Sequence, residues 1–282
     1  MGGNAKFSAG LSDAEGREFI PFAHELIATA FSTIRPFFLG ATPVLTKADA
    51  TPVTQADRGA EEAMRALIEA RYPGHGIFGE EFGVKETASD GTRYRWVIDP
   101  VDGTRAFISN CFLFGTLIAL ERDDGTGFRP VLGVIAHPAA GHALIGHAAA
   151  CRLYRADGSE RVVKVRPCAN LGDATVLATT HWSTGEQPGG PAVETLIRRA
   201  KLYRTWGDCF GYFAVATGGA DIMLDPSLSY WDVAAVVPVI EGAGGRVTSW
   251  SGGNPLEQPS LIASGGALHD EVLRCLNHPG PA

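Results

Sequence analysis

The sequence predicts an α/β protein, on three observations. Stretches with apolar residues at helical spacing alternate with short runs of β-branched and aromatic residues, and those runs end at Asp-Pro, Asp-Gly or Gly pairs. Apolar residues make up 45% and charged residues 20% of 282 positions, enough core for one large α/β unit or two closely apposed halves. The region 150–180 is the expected boundary, separating an N-terminal α+β half, residues 1–150, from a C-terminal α/β half, residues 151–282.

The first helix is expected over residues 12–38, where Phe19, Phe22, Ala23, Leu26, Ile27, Ala30, Phe31 and Ile34 form one apolar stripe. Ser12 or Asp13 caps it, and Pro36 stands near its end. Residues 45–54 read as loop and turn, leading through Thr54-Gln55-Ala56-Asp57 into a second helix that ends at Arg71 and buries Met64, Leu67 and Ile68. Asp57 falls in the first turn of that helix, where capping and the helix dipole explain its charge without any chemistry.

Residues 74–79 match G-x-G-x-x-G by letters, but they follow a helix and run into Glu80-Glu81. A dinucleotide turn must follow a strand and open a helix, so the match is set aside. The better reading is a helix exit at Pro73-Gly74 and a short strand, Ile77-Phe78, that delivers two glutamates to its end. Adjacent residues of an extended chain point to opposite sides, so at most one faces inward.

Trp96-Val97-Ile98 is the next strand, which Pro100 is expected to stop, leaving Asp99 and Asp102 to flank a turn beside Gly103. Residues 114–122 and 131–137 read as a hairpin around Asp124-Gly125. His137, His142 and His147 recur every five residues, a period of neither helix nor strand, and are read as turn and surface residues that share no face. A second hairpin is expected around Asp157-Gly158, then a strand at 174–180, a Gly/Pro-rich break at 185–191 and a helix at 192–200. A helix through Ala216, a strand at 220–224 ending at Asp225-Pro226, a helix opened by Trp231-Asp232, and short strands at 247–250 and 261–264 complete the chain.

The net charge of −7, with scattered Lys and Arg, argues against a nucleic-acid polymer or an anionic membrane as partner. A small soluble ligand is the better expectation, and if it is an anion, bound cations must invert the local field. Five cysteines, odd in number and without a C-x-x-C pair, suit reduced thiols in a cytoplasmic protein. The first residues lack an apolar signal core, no run reaches the roughly 18 apolar residues of a membrane span, and Met1-Gly2 is not followed by a myristoylation motif.

Asp57, Glu80, Asp99, Asp102 and Asp232 share one placement, the end of a strand or the first turn of a helix. Each has a bland reading as a cap or a solvated turn, but the recurrence points to a site. Oxygen ligands suit a hard cation such as Mg²⁺ rather than zinc, which prefers His and Cys. No G-x-S-x-G, H-E-x-x-H or G-K-[ST] motif is present.

DPVDGT at 99–104, GEE at 79–81 and WDVAA at 231–235, with Lys47 and Val53-Thr54-Gln55-Ala56-Asp57 upstream, resemble the inositol monophosphatase superfamily of Mg²⁺-dependent, lithium-sensitive phosphatases. The resemblance implies a layered αβαβα sandwich, a homodimer, and two or three Mg²⁺ per site. Glu80, Asp99 and the Val101 carbonyl would hold one ion, and Asp99, Asp102 and Asp232 a second. Asp57 would orient Thr104, and Thr104 with Glu80 would position the attacking water. If Gly103 and Thr104 begin a helix, their N–H groups can cradle phosphate.

Residues 105–109 and 204–208 look most like the histidinol-phosphate phosphatase branch, which implies hydrolysis of L-histidinol phosphate in histidine biosynthesis. Arg105, Asp208 and Asp225 would then meet the substrate, although Arg105 reads equally as a solvated helix-start residue. Asp225 also stands where inositol enzymes place an acid toward a hydroxyl, and Asn110-Cys111 departs from the branch pattern. Inositol 1-phosphate, a sugar phosphate or a nucleotide 3′-phosphate is the alternative substrate. A non-catalytic metal- or phosphate-binding protein is the alternative class, against which Thr104 speaks because a metal binder does not need it.

Overall fold

The computed structural model describes residues 6–40, 44–46, 52–88, 91–181 and 190–277. Lys47 and most of the 185–191 break lie outside the described residues. The chain opens with α1 (Asp13–Ile34), closed at its start by a reciprocal cap in which the Ser12 side chain accepts the Glu15 N–H and the Glu15 carboxylate accepts the Ser12 N–H. A short antiparallel ribbon, β1 (Val44–Thr46) with β2 (Pro52–Thr54), replaces the expected loop and feeds α2 (Gln55–Arg71).

Eight strands form the first sheet: β3 (Gly76–Gly79), β4 (Gly83–Lys85), β5 (Arg93–Asp102), β6 (Gly115–Asp123), β7 (Arg129–His137), β8 (His142–His147), β9 (Ala150–Tyr154) and β10 (Glu160–Val163). Their spatial order is β10-β9-β8-β7-β6-β5-β3-β4, with β3 and β5 parallel and the remaining pairs antiparallel. Because β9 pairs back onto β8 through a tight turn, the division expected at residue 150 falls inside this sheet, which continues through Val163.

Pro100 does not end β5. The strand runs on to Asp102 with a register shift against β6 between Asp99 and Asp102, and its pairing with β3 stops at Ile98. Past that point β5 has no ladder on one side, so a residue without an N–H is tolerated there. The histidines also depart from expectation. His137 is buried and sits directly opposite His142 in the β7–β8 register, on one face of the hairpin, because the turn between them is short.

The second sheet has β11 (Thr175–Ala178), β12 (Leu202–Arg204), β13 (Ile222–Asp225), β14 (Gly245–Thr248) and β15 (Leu261–Gly265) in the order β12-β11-β13-β15-β14. The helices that remain are α3 (Thr104–Ile108), α4 (Gly190–Arg199), α5 (Asp208–Ala216), α6 (Tyr230–Gly242) and α7 (Gly266–Asn277). Three cores define the layers. One packs α1 and α2 on the first sheet through Phe22, Met64, Trp96 and Ile118. The next packs α5 and α6 between the sheets through Leu117, Tyr212, Val236 and Met223. The last closes α4 and α7 over the second sheet through Leu196, Val176, Ile262 and Val272. The result is the expected αβαβα sandwich.

Candidate active site

The acids come from three elements that end at one place. β5 delivers Asp99 and Asp102 at its bulge, β3 delivers Glu80 one residue past its end, and α6 delivers Asp232 in its first turn. One carboxylate oxygen from each of Asp99, Asp102 and Asp232 lies within 4.8 Å of the others. Glu80 stands outside that triad but shares a hydrogen bond with Asp99.

Capping and chemistry prove compatible, because a carboxylate has two oxygens. Asp57 Oδ2 accepts the Thr54 N–H at 2.9 Å, completing a reciprocal cap, and its Oδ1 accepts the Thr104 hydroxyl at 3.3 Å. Asp232 Oδ2 accepts the Ser229 N–H at 2.8 Å, Asp99 Oδ1 the Val101 N–H at 3.0 Å, and Asp102 Oδ2 the Cys209 N–H at 2.5 Å. Each acid is thus aimed by the backbone through one oxygen. The Val101 carbonyl is 3.1 Å from the Thr104 hydroxyl.

Burial first, and the charges of Glu80, Asp102 and Asp232 second, push the Asp99 carboxyl well above the usual carboxylate range. Burial does the same to Asp232, with Asp102 adding repulsion, and lifts Asp102 to about 6. Like charges held this close in a dry site are unfavourable unless a cation joins them. The donors are all oxygens, so the set fits a hard divalent ion rather than zinc.

Beside the triad lies a cleft of about 280 Å³ lined by Asp102, Thr179, Asp208, Tyr212, Asp225 and Asp232. Asp225 is committed: its oxygens accept the Thr179 N–H at 3.3 Å and the Tyr212 hydroxyl at 2.7 Å. Asp208 is freer, since among the described residues its carboxylate accepts no hydrogen bond, while its N–H donates to Thr179 Oγ1 at 3.0 Å. Burial lifts both acids to about 7. Gly103 begins α3 at φ 77°, and a Cβ there would meet the Asp208 carboxylate at 2.9 Å, so both conformation and space require glycine. Arg105 is exposed on α3 and does not line the cleft.

Thr179, Tyr212 and Glu61 were not singled out from the sequence. Glu61 is fully buried and accepts the N–H groups of Glu81 at 2.7 Å and Phe82 at 3.0 Å while pairing with Arg65 at 2.8 Å. It bolts the turn after Glu80 to α2, and Gly79 is needed because a Cβ there would overlap the Glu61 carboxylate. The signal was available: Glu61 sits four residues after Asp57 in the stripe that continues to Met64 and Ile68. Glu61→Ala should cost about 2–4 kcal/mol in urea unfolding, because it leaves two N–H groups without their acceptor and takes the ion pair from Arg65, which keeps only the Gly83 carbonyl and the Phe82 ring. A loss below about 1 kcal/mol would mean the carboxylate is not holding the turn.

Residues 16–278 match the model of the inositol monophosphatase family. The chain belongs to that family. It is therefore a phosphomonoester hydrolase. A histidinol-phosphatase of Chlorobaculum parvum is 36% identical over 83% of this chain and 87% of its own length. The bifunctional phosphatase IMPL2 of Arabidopsis thaliana is 34% identical over 94% of this chain and 77% of its own. Among solved structures, an inositol monophosphatase from Zymomonas mobilis is 36% identical and superposes with a TM-score of 0.78, covering 93% of this chain and 98% of its own. That structure stands at the same identity as the histidinol-phosphatase, whereas the inositol-1-monophosphatase of Mesorhizobium japonicum is 30% identical over 80% of this chain and 83% of its own.

Proposed function

We propose that this inositol monophosphatase family member is a Mg²⁺-dependent histidinol-phosphate phosphatase, converting L-histidinol phosphate and water to L-histidinol and phosphate in histidine biosynthesis. The observation that carries the substrate is Asp208, an acid beyond the triad whose carboxylate accepts no hydrogen bond among the described residues, in the cleft that adjoins it; Asp225 suits either ester. A phosphate ester bearing an amine and an imidazole needs negative partners away from its phosphate, and histidinol-phosphatase relatives at 36–37% identity support the same choice. Inositol 1-phosphate is the second reading, favoured by the committed Asp225 and the Zymomonas mobilis likeness.

In this reading Glu80, Asp99 and the Val101 carbonyl would hold one Mg²⁺ and Asp99, Asp102 and Asp232 another, two or three ions in all. When bound, such ions lower the pKa of coordinated water and neutralise charge on the phosphoryl oxygens. The protein's own groups do the rest. Asp57, held by Thr54, and the Val101 carbonyl both stand to accept the single Thr104 proton, so the Thr104 oxygen keeps lone pairs to accept from a water and turn the water's nucleophilic side toward phosphorus. Glu80 completes the water's placement, and the Gly103 and Thr104 N–H groups face the phosphate. Five free cysteines suit the cytoplasm, and the homodimer implied by the family resemblance is open to light scattering. No helix among the described residues is long and apolar enough to cross a membrane.

The test is phosphate release with Mg²⁺ from histidinol phosphate, inositol 1-phosphate, a sugar phosphate and a nucleotide 3′-phosphate. A clear kcat/KM preference for histidinol phosphate is expected, and even activity across the panel would discard the pathway while keeping the chemistry. Asp208→Asn should lower kcat/KM for histidinol phosphate about tenfold to a hundredfold, the worth of one charge-assisted hydrogen bond, while leaving an ester whose alcohol part is uncharged, such as glycerol phosphate, nearly unchanged. Equal losses on both esters would remove Asp208 from substrate recognition.

A further inference from the structure

We propose that Arg95, Glu121 and Tyr230 form a buried positioning device that preassembles the metal-binding acids, an inference that rests on the Mg²⁺ reading above. The Tyr230 hydroxyl donates to Glu121 Oε1, and Arg95 Nε donates to Glu121 Oε2 at 2.8 Å. Glu121 is fully buried. The Arg95 guanidinium lies over the rings of Phe128 at 4.3 Å, Phe78 at 5.5 Å and Tyr230 at 5.6 Å. Phe78 in turn stacks on Tyr230 and meets Trp231 edge-on, each at 5.7 Å between ring centres.

The sequence offsets give this knot its meaning. Phe78 precedes Glu80 on β3, Arg95 precedes Asp99 on β5, and Tyr230 precedes Asp232 at the start of α6. All three elements that bring an acid to the site therefore enter one cluster a few residues upstream. β3 and β5 are already joined by their ladder, but the acids repel one another and cannot hold the start of α6 against those strands before a cation arrives. A buried ion pair with a tyrosine on its second oxygen can, because breaking it would strand a charge. Fixing the acids in advance removes that ordering cost from ion binding, as supporting residues do around other metal sites. These are positioning residues, since none is itself one of the acids.

Mg²⁺ titration calorimetry of the chelator-stripped full chain tests the assignment, with thermal unfolding alongside. Tyr230→Phe should weaken Mg²⁺ binding about tenfold and raise the Mg²⁺ needed for half-maximal activity by the same factor. The control is Asp221→Asn. It breaks another ion pair, between the buried Asp221 and a partly exposed Arg166, at the far end of β13 from Asp225, and should lower the unfolding temperature without moving Mg²⁺ affinity. Wild-type affinity in Tyr230→Phe, or equal weakening in the control, overturns the proposal. Should Tyr230→Phe not fold, Glu121→Gln carries the same expectation and the same refutation. A wild-type chain that binds no Mg²⁺ overturns the metal reading itself, and this inference with it.

Discussion

Asp99→Asn is expected to lower Mg²⁺-dependent kcat/KM by about 10³-fold, the rate equivalent of about 4 kcal/mol, because it removes the charge proposed to bridge two ions. The same change should raise the stability of the metal-free protein. The amide keeps the volume and the oxygen that accepts the Val101 N–H, but it ends the repulsion from Glu80, Asp102 and Asp232 in a buried site. An Asp whose folded pKa is raised opposes folding once the unfolded chain has lost its proton, so the gain should appear at neutral pH and vanish in acid. Steady-state kinetics and thermal unfolding in chelator check the two halves. Near-wild-type turnover would sink the bridging assignment, and a less stable metal-free variant would sink the account of repulsion.

Removing divalent ions should have the second largest effect, and its direction depends on pH. In the folded metal-free protein burial holds Asp102 at about 6 and Asp208 and Asp225 at about 7, against 3.8 for an ordinary aspartate. Below about pH 4 both states are protonated and no penalty exists. As pH rises toward about 7 the unfolded chain releases protons that the folded chain retains, so stability must fall across that window. Mg²⁺ needs the ionised acids, so the stabilisation it adds should grow as pH rises over the same range. At a hundredfold excess over its Kd one ion adds about 2.7 kcal/mol, or roughly 5–10 °C for a chain of this size. Thermal unfolding with and without Mg²⁺ across this range reads both slopes. Parallel curves would mean that the acids do not bind the ion.

Much of the acid constellation was legible from local chemistry. Each acid stands at a strand end or a helix start, where its neighbours must be Gly, Pro or a capping residue, and such signals survive in a single sequence. Asp57 and Asp232 could equally be read as caps, and the structure shows that each caps with one oxygen while the other is left for different work. The reading of Pro100 as a strand stop failed because it assumed neighbours on both sides of β5, whereas β3 ends its pairing at Ile98. His137 and His142 failed for a related reason: their fivefold spacing says nothing about a hairpin that folds them face to face.

By itself, then, the sequence determined the α/β class, the helices and most strands, and the residue types that can bind a hard cation beside a threonine. These are written in periodicity and in short motifs, which need only a few neighbouring residues to be recognised. Only the tertiary structure decided that Asp232 reaches Asp99 and Asp102, that Glu61 holds the turn after Glu80, that Asp225 is already committed to Tyr212 while Asp208 is not, and that Arg105 faces solvent. The physical reason is that closing the layers brings together residues on different elements, from 13 positions apart for Tyr212 and Asp225 and 20 for Glu61 and Glu81 to more than a hundred for Asp99 and Asp232. Neither their mutual repulsion nor their shared hydrogen bonds exist until the layers close.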